Sequence, residues 1–339
     1  MQTKHPDFLV IGLGAMGSAI TYQLAKQGAN VVGLDQFTPP HAHGSTHGET
    51  RITRQAIGEG LQFVPLAMRS HQLWREIENQ TGQSLLNACG GIVIAREGQT
   101  SRMHAQHDFL GNTFRAAQTF GIDHQRWHAH EIHARFPQFV LSGDEVAYFE
   151  PGAGYVAPEA CVSAQLELAA RHGATLKFAE GVQRVAHVSG TTVVETHCAR
   201  YTAGTTIVAA GAWVPQLLPT LAAALTVRRQ VLIWFAIDDA TSYAADNFPI
   251  FIWHWGAGAN DVFYGFPDVG SGGNIRAIKV ATEQSTFVTT PETIERVVSA
   301  NEIADMVQRH IAGKLRGISG RCVKSATCLY TNTAQANFI

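Results

Sequence analysis

Residues 7–35 restrict the fold of this chain more than any other stretch. The run Asp7-Phe8-Leu9-Val10-Ile11 leads into Gly12-x-Gly14-x-x-Gly17, and residues 18–26 follow with helix-forming side chains at helical spacing. After Gly28, a helix-stop signal, residues 30–34 make a second apolar run that ends on Asp35. The unit reads strand, tight turn, helix, strand. The first glycine permits the turn, the second lets backbone approach a pyrophosphate, and the third lets helix pack closely on strand. The N–H groups of the helix N-terminus then face the phosphates. Asp35, eighteen residues past Gly17, is placed to accept hydrogen bonds from a ribose diol. Three such glycines alone also mark many ligand-free turns, but their register with strand, helix, strand and acid favours a bound dinucleotide. The loop does not decide between NAD and FAD.

At 339 residues the chain exceeds what one hydrophobic core usually organises, so two domains built from discontinuous segments are expected. A composition 45% hydrophobic and 15% charged is that of an ordinary globular enzyme. With 25 Lys and Arg against 27 Asp and Glu there is no basic excess to bind nucleic acid, which leaves small molecules as the expected partners. The cysteines at 89, 161, 198, 322 and 328 form no CxxC pair and suit a reducing compartment. The apolar stretch near the N-terminus is short, broken by glycines and lacks a cleavage-site pattern, and no later run reaches membrane-spanning length. A cytoplasmic location is therefore expected, without membrane association.

Further along, 37–51 has the composition of a fixed irregular loop. Periodicity predicts helices over 63–81, 102–120, 159–172 and 290–310. Strands are predicted at 90–95, 175–179, 205–210, 227–235, 262–266 and 325–330, with a hairpin over 181–196. Residues 337–339 read as the opening of another strand. His128, His130 and His133 invite a metal hypothesis, but no Cys lies nearby and Glu131 would face away from its neighbours. A solvated loop or helix face is favoured there, and no metal is assigned.

The stretch Pro39-Pro40-His41-Ala42-His43-Gly44-Ser45-Thr46-His47-Gly48-Glu49-Thr50-Arg51-Ile52-Thr53-Arg54, followed by Gly58-Glu59-Gly60, closely resembles the sarcosine oxidase and N-methyltryptophan oxidase family of flavoenzymes. Further likenesses follow in order along the chain: Phe63-Val64-Pro65-Leu66, Gly211-Ala212-Trp213, Arg229-Gln230, Tyr264-Gly265-Phe266-Pro267, Ile278-Lys279-Val280 and Cys328-Leu329-Tyr330. The PPHxHGSxHG portion resembles the N-methyltryptophan oxidase branch in particular. The resemblance implies a mixed α/β fold, in which a Rossmann-like FAD-binding domain of the glutathione-reductase type is interleaved with a β-sheet-rich substrate domain. Residues 1–88, 151–222 and 315–339 would form the first, and 89–150 and 223–314 the second.

The same resemblance implies FAD attached through an 8α-S-cysteinyl link at Cys328, where a thiolate must meet an electron-poor flavin edge. It places His47 and Arg51 near the flavin ring, where cations stabilise negative charge on the reduced ring system. It puts Arg54 on the substrate carboxylate, a role suited to a planar guanidinium. Lys279 would lie near flavin N5, in the position associated with oxygen activation. Tyr264 and Tyr330 fall beside the substrate, and Ser45, Val182, Gly211 and Trp213 beside the cofactor. Without the resemblance, Cys328 reads as a small buried hydrophobe, the arginines as surface or ion-paired groups and Lys279 as a solvated strand lysine.

The implied activity is oxidation of secondary amines of the N-methyl amino acid type by a monomer. N-methyl-L-tryptophan comes first and sarcosine next as substrates, O2 is the acceptor, and the products are amino acid, formaldehyde and hydrogen peroxide. The alternatives are a truncated, inactive flavin-binding protein and a flavin oxidase of another amino-acid-like or 2-hydroxy acid substrate. An NAD-dependent dehydrogenase is disfavoured because HGSTHGETR has no role in one. The chain departs from the family twice. Relatives continue past the Cys segment to a Ser-Gly-His-Gly-Phe-Lys turn whose Lys also holds the substrate carboxylate, so a complete anchoring end and an incomplete catalytic end are expected. Glu283 stands where relatives commonly carry His, and a carboxylate there would repel an amino-acid carboxylate.

Overall fold

In the computed structural model, which describes residues 3–104, 106–188 and 190–334, the strands Phe8–Ile11 and Val31–Leu34 are covered on both faces. They accordingly carry continuous rather than alternating apolar side chains. With Thr175–Lys177 and Thr205–Val208 they form a four-stranded sheet in which every pairing is parallel. Numbered along the chain, the strand order is 3-2-1-4, so direction of winding reverses between Phe8–Ile11 and Thr205–Val208. A crevice opens beyond the carboxyl ends of strands at such a switch point. Helices Ala15–Lys26 and Pro158–Arg171 cover one face, packing Leu13, Ala25, Val162 and Leu166 on Val10 and Val31. On the other face Leu9, Ile11, Val32 and Leu34 meet Val194, Ala199 and Tyr201 of a second sheet that contains the predicted hairpin, Val182–Val188 against Thr191–Thr196.

The remaining mass is an eight-stranded sheet running, edge to edge, through Ile318–Asn332, Thr226–Ile237, Ala277–Ala281, Val262–Gly265, Ile250–His254, Gly91–Arg96, Glu145–Glu150 and Gln125–His128. Its pairings are antiparallel except that between Ile250–His254 and Gly91–Arg96. Side chains of Thr226–Ile237 alternate between two cores: Leu232 and Trp234 enter one with Phe109 and Tyr148, whereas Val231, Ile233 and Phe235 enter the other with Phe139 and Phe251. The loop predicted over 37–51 lies between the two halves of the molecule. Glu159, on the helix beside the parallel sheet, accepts from Gly48 N at 2.7 Å and Glu49 N at 3.1 Å, while Lys279 of the large sheet donates to Gly48 O at 2.7 Å and Thr50 O at 2.6 Å.

Three predicted elements change. The helix expected over 290–310 is α-helical only at Ala300–Met306, passing into a π-turn at Val307–Ile311. Upstream, Thr290 Oγ1 accepts from Thr293 N at 3.2 Å, a local bond that competes with helix, and Ser299 with Glu302 forms the capping box that starts it. The helix expected over 102–120 is Phe109–Phe120, started by Asp108, whose side chain accepts from Gly111 N; the residues before it pair as Arg102–Met103 with Gln106–His107. The strand expected at 325–330 spans Ile318–Asn332 and pairs along Thr226–Ile237, so this segment, grouped by sequence with the nucleotide-binding residues, is hydrogen-bonded into the large sheet. His128 caps the helix Ala129–Arg135, whose Glu131 reaches back to the His128 N–H at 2.7 Å. The expectation for 337–339 falls outside the described residues. Among those described, no helix is long and apolar enough to cross a membrane.

Candidate active site

A cavity of about 500 Å³ opens at the switch point of the parallel sheet. It brings together Gly12, Gly14, Asp35, Ser45, Val182, Gly211 and Trp213 and continues to Leu329 and Tyr330. The three glycines have different reasons to be there. A Cβ on Gly17 would lie 1.7 Å from Gly12 O, and one on Gly12, whose φ is +89°, 2.6 Å from Ala209 O; the chain's own packing excludes both. A Cβ on Gly14 would meet only Thr46 Oγ1, at 3.6 Å. Nothing in the protein requires that glycine, yet it lines the cavity and starts a helix that it cannot cap with a side chain; of the first N–H groups, that of Ala15 donates to Thr46 Oγ1 at 3.3 Å. The cradle fits a ligand that presses on the backbone, as a dinucleotide pyrophosphate does. Asp35 accepts from Leu13 N and Phe37 N, both at 2.8 Å, on separate oxygens, which shapes the turn and leaves lone pairs for a ribose hydroxyl.

The far end of this cavity is walled by the strand that carries Cys328. The thiol itself is fully buried, paired in register with Gln230, while its neighbours Leu329 and Tyr330 reach the cavity. Burial raises the Cys328 pKa, and the nearby Arg51 and Lys279 oppose that rise. Ser45 Oγ donates to Leu329 O, tying the loop to this strand. Arg51 donates from Nη2 to Ser45 O at 2.9 Å and His47 O at 3.0 Å. His47 is held at about 4 by burial and then by the Arg51 charge, and its Nε2 is buried without a hydrogen-bond partner. Lys279 lies 4.1 Å from the centroid of the Phe266 ring; burial, followed by Arg51, lowers its pKa well below the lysine range.

A second cavity, about 280 Å³, lies on the other side of Arg51 and shares Tyr330 with the first. Its walls include Arg54, Glu59, Met103, His104, Tyr264, Phe266 and Glu283. Arg54 is 8% exposed; its Nη2 donates to Glu59 at 3.1 Å, its guanidinium lies 5.3 Å from the Phe109 ring centroid, and its Nη1 is buried without a partner. Burial works against a charged Glu59, but Arg54 and His104 outweigh it and hold the carboxyl at about 2. His104 Nδ1 is 3.2 Å from Glu59, and its backbone N donates to Glu283 at 3.4 Å. Burial lowers the His104 pKa; Glu59 and Glu283 overcome this and raise it. Arg54, which lines this smaller cavity, thus keeps one guanidinium donor unfilled. Sequence reasoning gave no role to Glu59 or His104. Glu59 appears only within the family-like stretch, and nothing local to His104, which it placed on a helix, signals a pocket residue.

A model of the family described as DAO, FAD dependent oxidoreductase, matches residues 7–331. The monomeric sarcosine oxidase of Streptomyces avermitilis is 39% identical over 334 residues, which cover 98% of this chain and 84% of that protein. The N-methyl-L-tryptophan oxidase of Yersinia pestis is 32% identical over 340 residues, 98% of this chain and 85% of the relative. Identity therefore does not single out the tryptophan branch that the 39–48 stretch resembles. Among solved structures, NikD, described as an unusual amino acid oxidase, aligns with a TM-score of 0.83 at 20% identity, covering 97% of this chain and 82% of that one. Glycine oxidase from Geobacillus kaustophilus aligns with a TM-score of 0.70 at 21% identity, covering 98% and 84%. Identities this low speak for the fold alone.

Proposed function

The chain belongs to the DAO family of FAD-dependent oxidoreductases, and from that premise we propose that it is an amine oxidase acting on N-methyl amino acids, with sarcosine and N-methyl-L-tryptophan as first candidates. The observation that carries the substrate class is Arg54 Nη1, a buried donor without a partner, in a cavity that shares a wall with the one shaped for the cofactor. A buried guanidinium N–H left unsatisfied is costly, and a substrate carboxylate satisfies it.

In the cavity lined by Gly12, Gly14 and Asp35, FAD would supply a hydride acceptor for the N-methyl carbon and an electron donor to O2, with hydrogen peroxide as the product. The chain's residues supply the rest. Gly12, Gly14 and Asp35 hold the adenosine diphosphate end, with Ser45, Val182, Gly211 and Trp213 along the same cavity. Arg54 orients the substrate by its carboxylate, with Tyr264 and Tyr330 as walls. Arg51 brings positive charge to the ring end, and Lys279, whose pKa burial and Arg51 lower well below the lysine range, is held beside it by donating to the carbonyls of Gly48 and Thr50. His47, lowered to about 4 and so neutral near pH 7, is not the cation that the resemblance implied, and it keeps a buried Nε2 without a partner. Cys328, with Arg51 and Lys279 favouring its thiolate, is the proposed point of covalent attachment. A cytoplasmic monomer of two interleaved domains, with Ile318–Asn332 counted in the large-sheet half to which it is hydrogen-bonded, completes the proposal.

The test is the visible spectrum of the purified protein before and after acid precipitation, followed by peroxide assays with sarcosine and N-methyl-L-tryptophan. Yellow colour retained in the pellet supports the Cys328 link, and colour released to the supernatant removes it. Silence toward both amines would end the substrate assignment.

A further inference from the structure

The cavity around Arg54 is lined by four full charges, Arg51, Arg54, Glu59 and Glu283, with His104 between the two carboxylates. Three are accounted for within the protein. Arg54 and Glu59 form an ion pair at 3.1 Å, and Arg51 spends its Nη2 on the carbonyls of Ser45 and His47. Glu283 is different. Its recorded donor is the backbone N of His104 at 3.4 Å, while the His104 ring is engaged with Glu59, and no Lys or Arg side chain is paired with Glu283 among the described residues. One small cavity thus offers a buried donor without a partner, Arg54 Nη1, and a carboxylate outside any Lys or Arg ion pair, which faces only a His104 ring already engaged with Glu59. An N-methyl amino acid with a neutral side chain would satisfy the donor and leave Glu283 repelling its carboxylate.

We infer that Glu283 determines substrate specificity by holding a second cationic group, so that the substrate is an N-methyl amino acid with an ammonium or guanidinium on its side chain. The inference rests on the amine-oxidase reading above. The cation facing Glu283 is not the reacting nitrogen. A carboxylate beside that nitrogen would hold it protonated, and hydride leaves the N-methyl carbon only when the nitrogen lone pair is free to form the imine. The pairing takes two charged groups out of water together, which is where a charge-assisted hydrogen bond discriminates best.

The experiment compares kcat/KM of the holoenzyme, by peroxide release, for Nα-methyl-lysine and for N-methylnorleucine, a chain of similar length without the charge. Binding of 6-aminohexanoate and of hexanoate is measured alongside through the flavin spectrum. The wild type should favour the charged member of each pair by about tenfold or more. Glu283→Gln should bring both ratios close to one, and Glu283→Asp should restore part of the preference. Equal use of the two amines by the wild type, or a preference that survives Glu283→Gln, overturns the inference. Peroxide from sarcosine or N-methyl-L-tryptophan but not from Nα-methyl-lysine also overturns it, while leaving the amine-oxidase reading intact. If no amine yields peroxide, that reading fails, and the two hexanoates still decide whether Glu283 holds a cation.

Discussion

The glycine cradle at residues 12–17 and the cavity around Arg54 hold their ligands by opposite means. The cradle is backbone: two glycines required by the fold, one that only a ligand requires, and a carboxylate whose oxygens are fixed by Leu13 N and Phe37 N. The substrate cavity is side-chain charge gathered from several distant segments, with one donor unpartnered and one carboxylate outside any Lys or Arg ion pair. Shape can hold a cofactor common to many enzymes, whereas choosing one amine among similar amines takes charges placed by tertiary structure.

The sharpest break in this comparison should come within the cradle itself. Gly17→Ala places a Cβ 1.7 Å from a backbone oxygen that has no rotamer by which to move away, so loss of soluble folded protein is expected, a cost above about 3 kcal/mol. Gly14→Ala meets only a threonine hydroxyl at 3.6 Å, so the apoprotein should fold with a near wild-type melting temperature and lose its flavin absorbance. A Gly14→Ala protein that keeps its full FAD content would show that the cradle is not where the pyrophosphate rests.

Next in size is the effect of emptying the substrate cavity of its free donor. Arg54→Met should lower kcat/KM by roughly a hundredfold to a thousandfold with FAD still bound, and it strands Glu59 as a buried carboxylate with only His104 beside it. Adding Glu59→Gln should recover melting temperature without recovering turnover. Recovery of both would mean that Arg54 serves Glu59 and not the substrate.

The same contrast explains how much could be read before the structure. The cradle was legible because its requirements lie within about thirty residues of sequence and follow helix and strand periods. Apolar runs likewise gave four of the large sheet's eight strands, at 90–95, 227–235, 262–266 and 325–330, although Ile318–Asn332 extends well beyond the predicted strand because pairing with Thr226–Ile237, rather than local pattern, sets its ends. The substrate cavity was legible only in part, through residues that resemble a family. The His104 contacts join positions 45 and 179 residues apart, and His104 sits at φ +49°, a conformation that its neighbours in sequence do not announce. Threonine hydroxyls bonded to backbone likewise displaced the first part of the helix expected over 290–310, a competition that hydrophobic periodicity does not register.

The smallest expected effect is electrostatic, and it divides the histidines by sign, with His104 at the substrate cavity raised and four others lowered. His47, on the loop between the two halves, is held at about 4, as are His71, His254 and His310; burial is the main cause for each, followed by a nearby arginine. In the unfolded chain these groups take up protons near 6.5, so their stabilisation is present above that pH and is lost as pH falls toward 4. His104 at the substrate end titrates above 6.5 in the folded state, so its contribution is complete below 6.5 and is lost as pH rises through its folded value. Glu59, held at about 2, keeps its contribution throughout that range and loses it only under stronger acid. The melting temperature should therefore fall on both sides of neutrality, steeply on the acid side where four histidines act together and slightly on the alkaline side. His104→Asn should flatten the alkaline limb and leave the acid limb in place. An unchanged alkaline limb would mean that the His104 contacts with Glu59 and Glu283 carry no charge, and the substrate cavity would then be nearer in character to the cradle than the comparison holds.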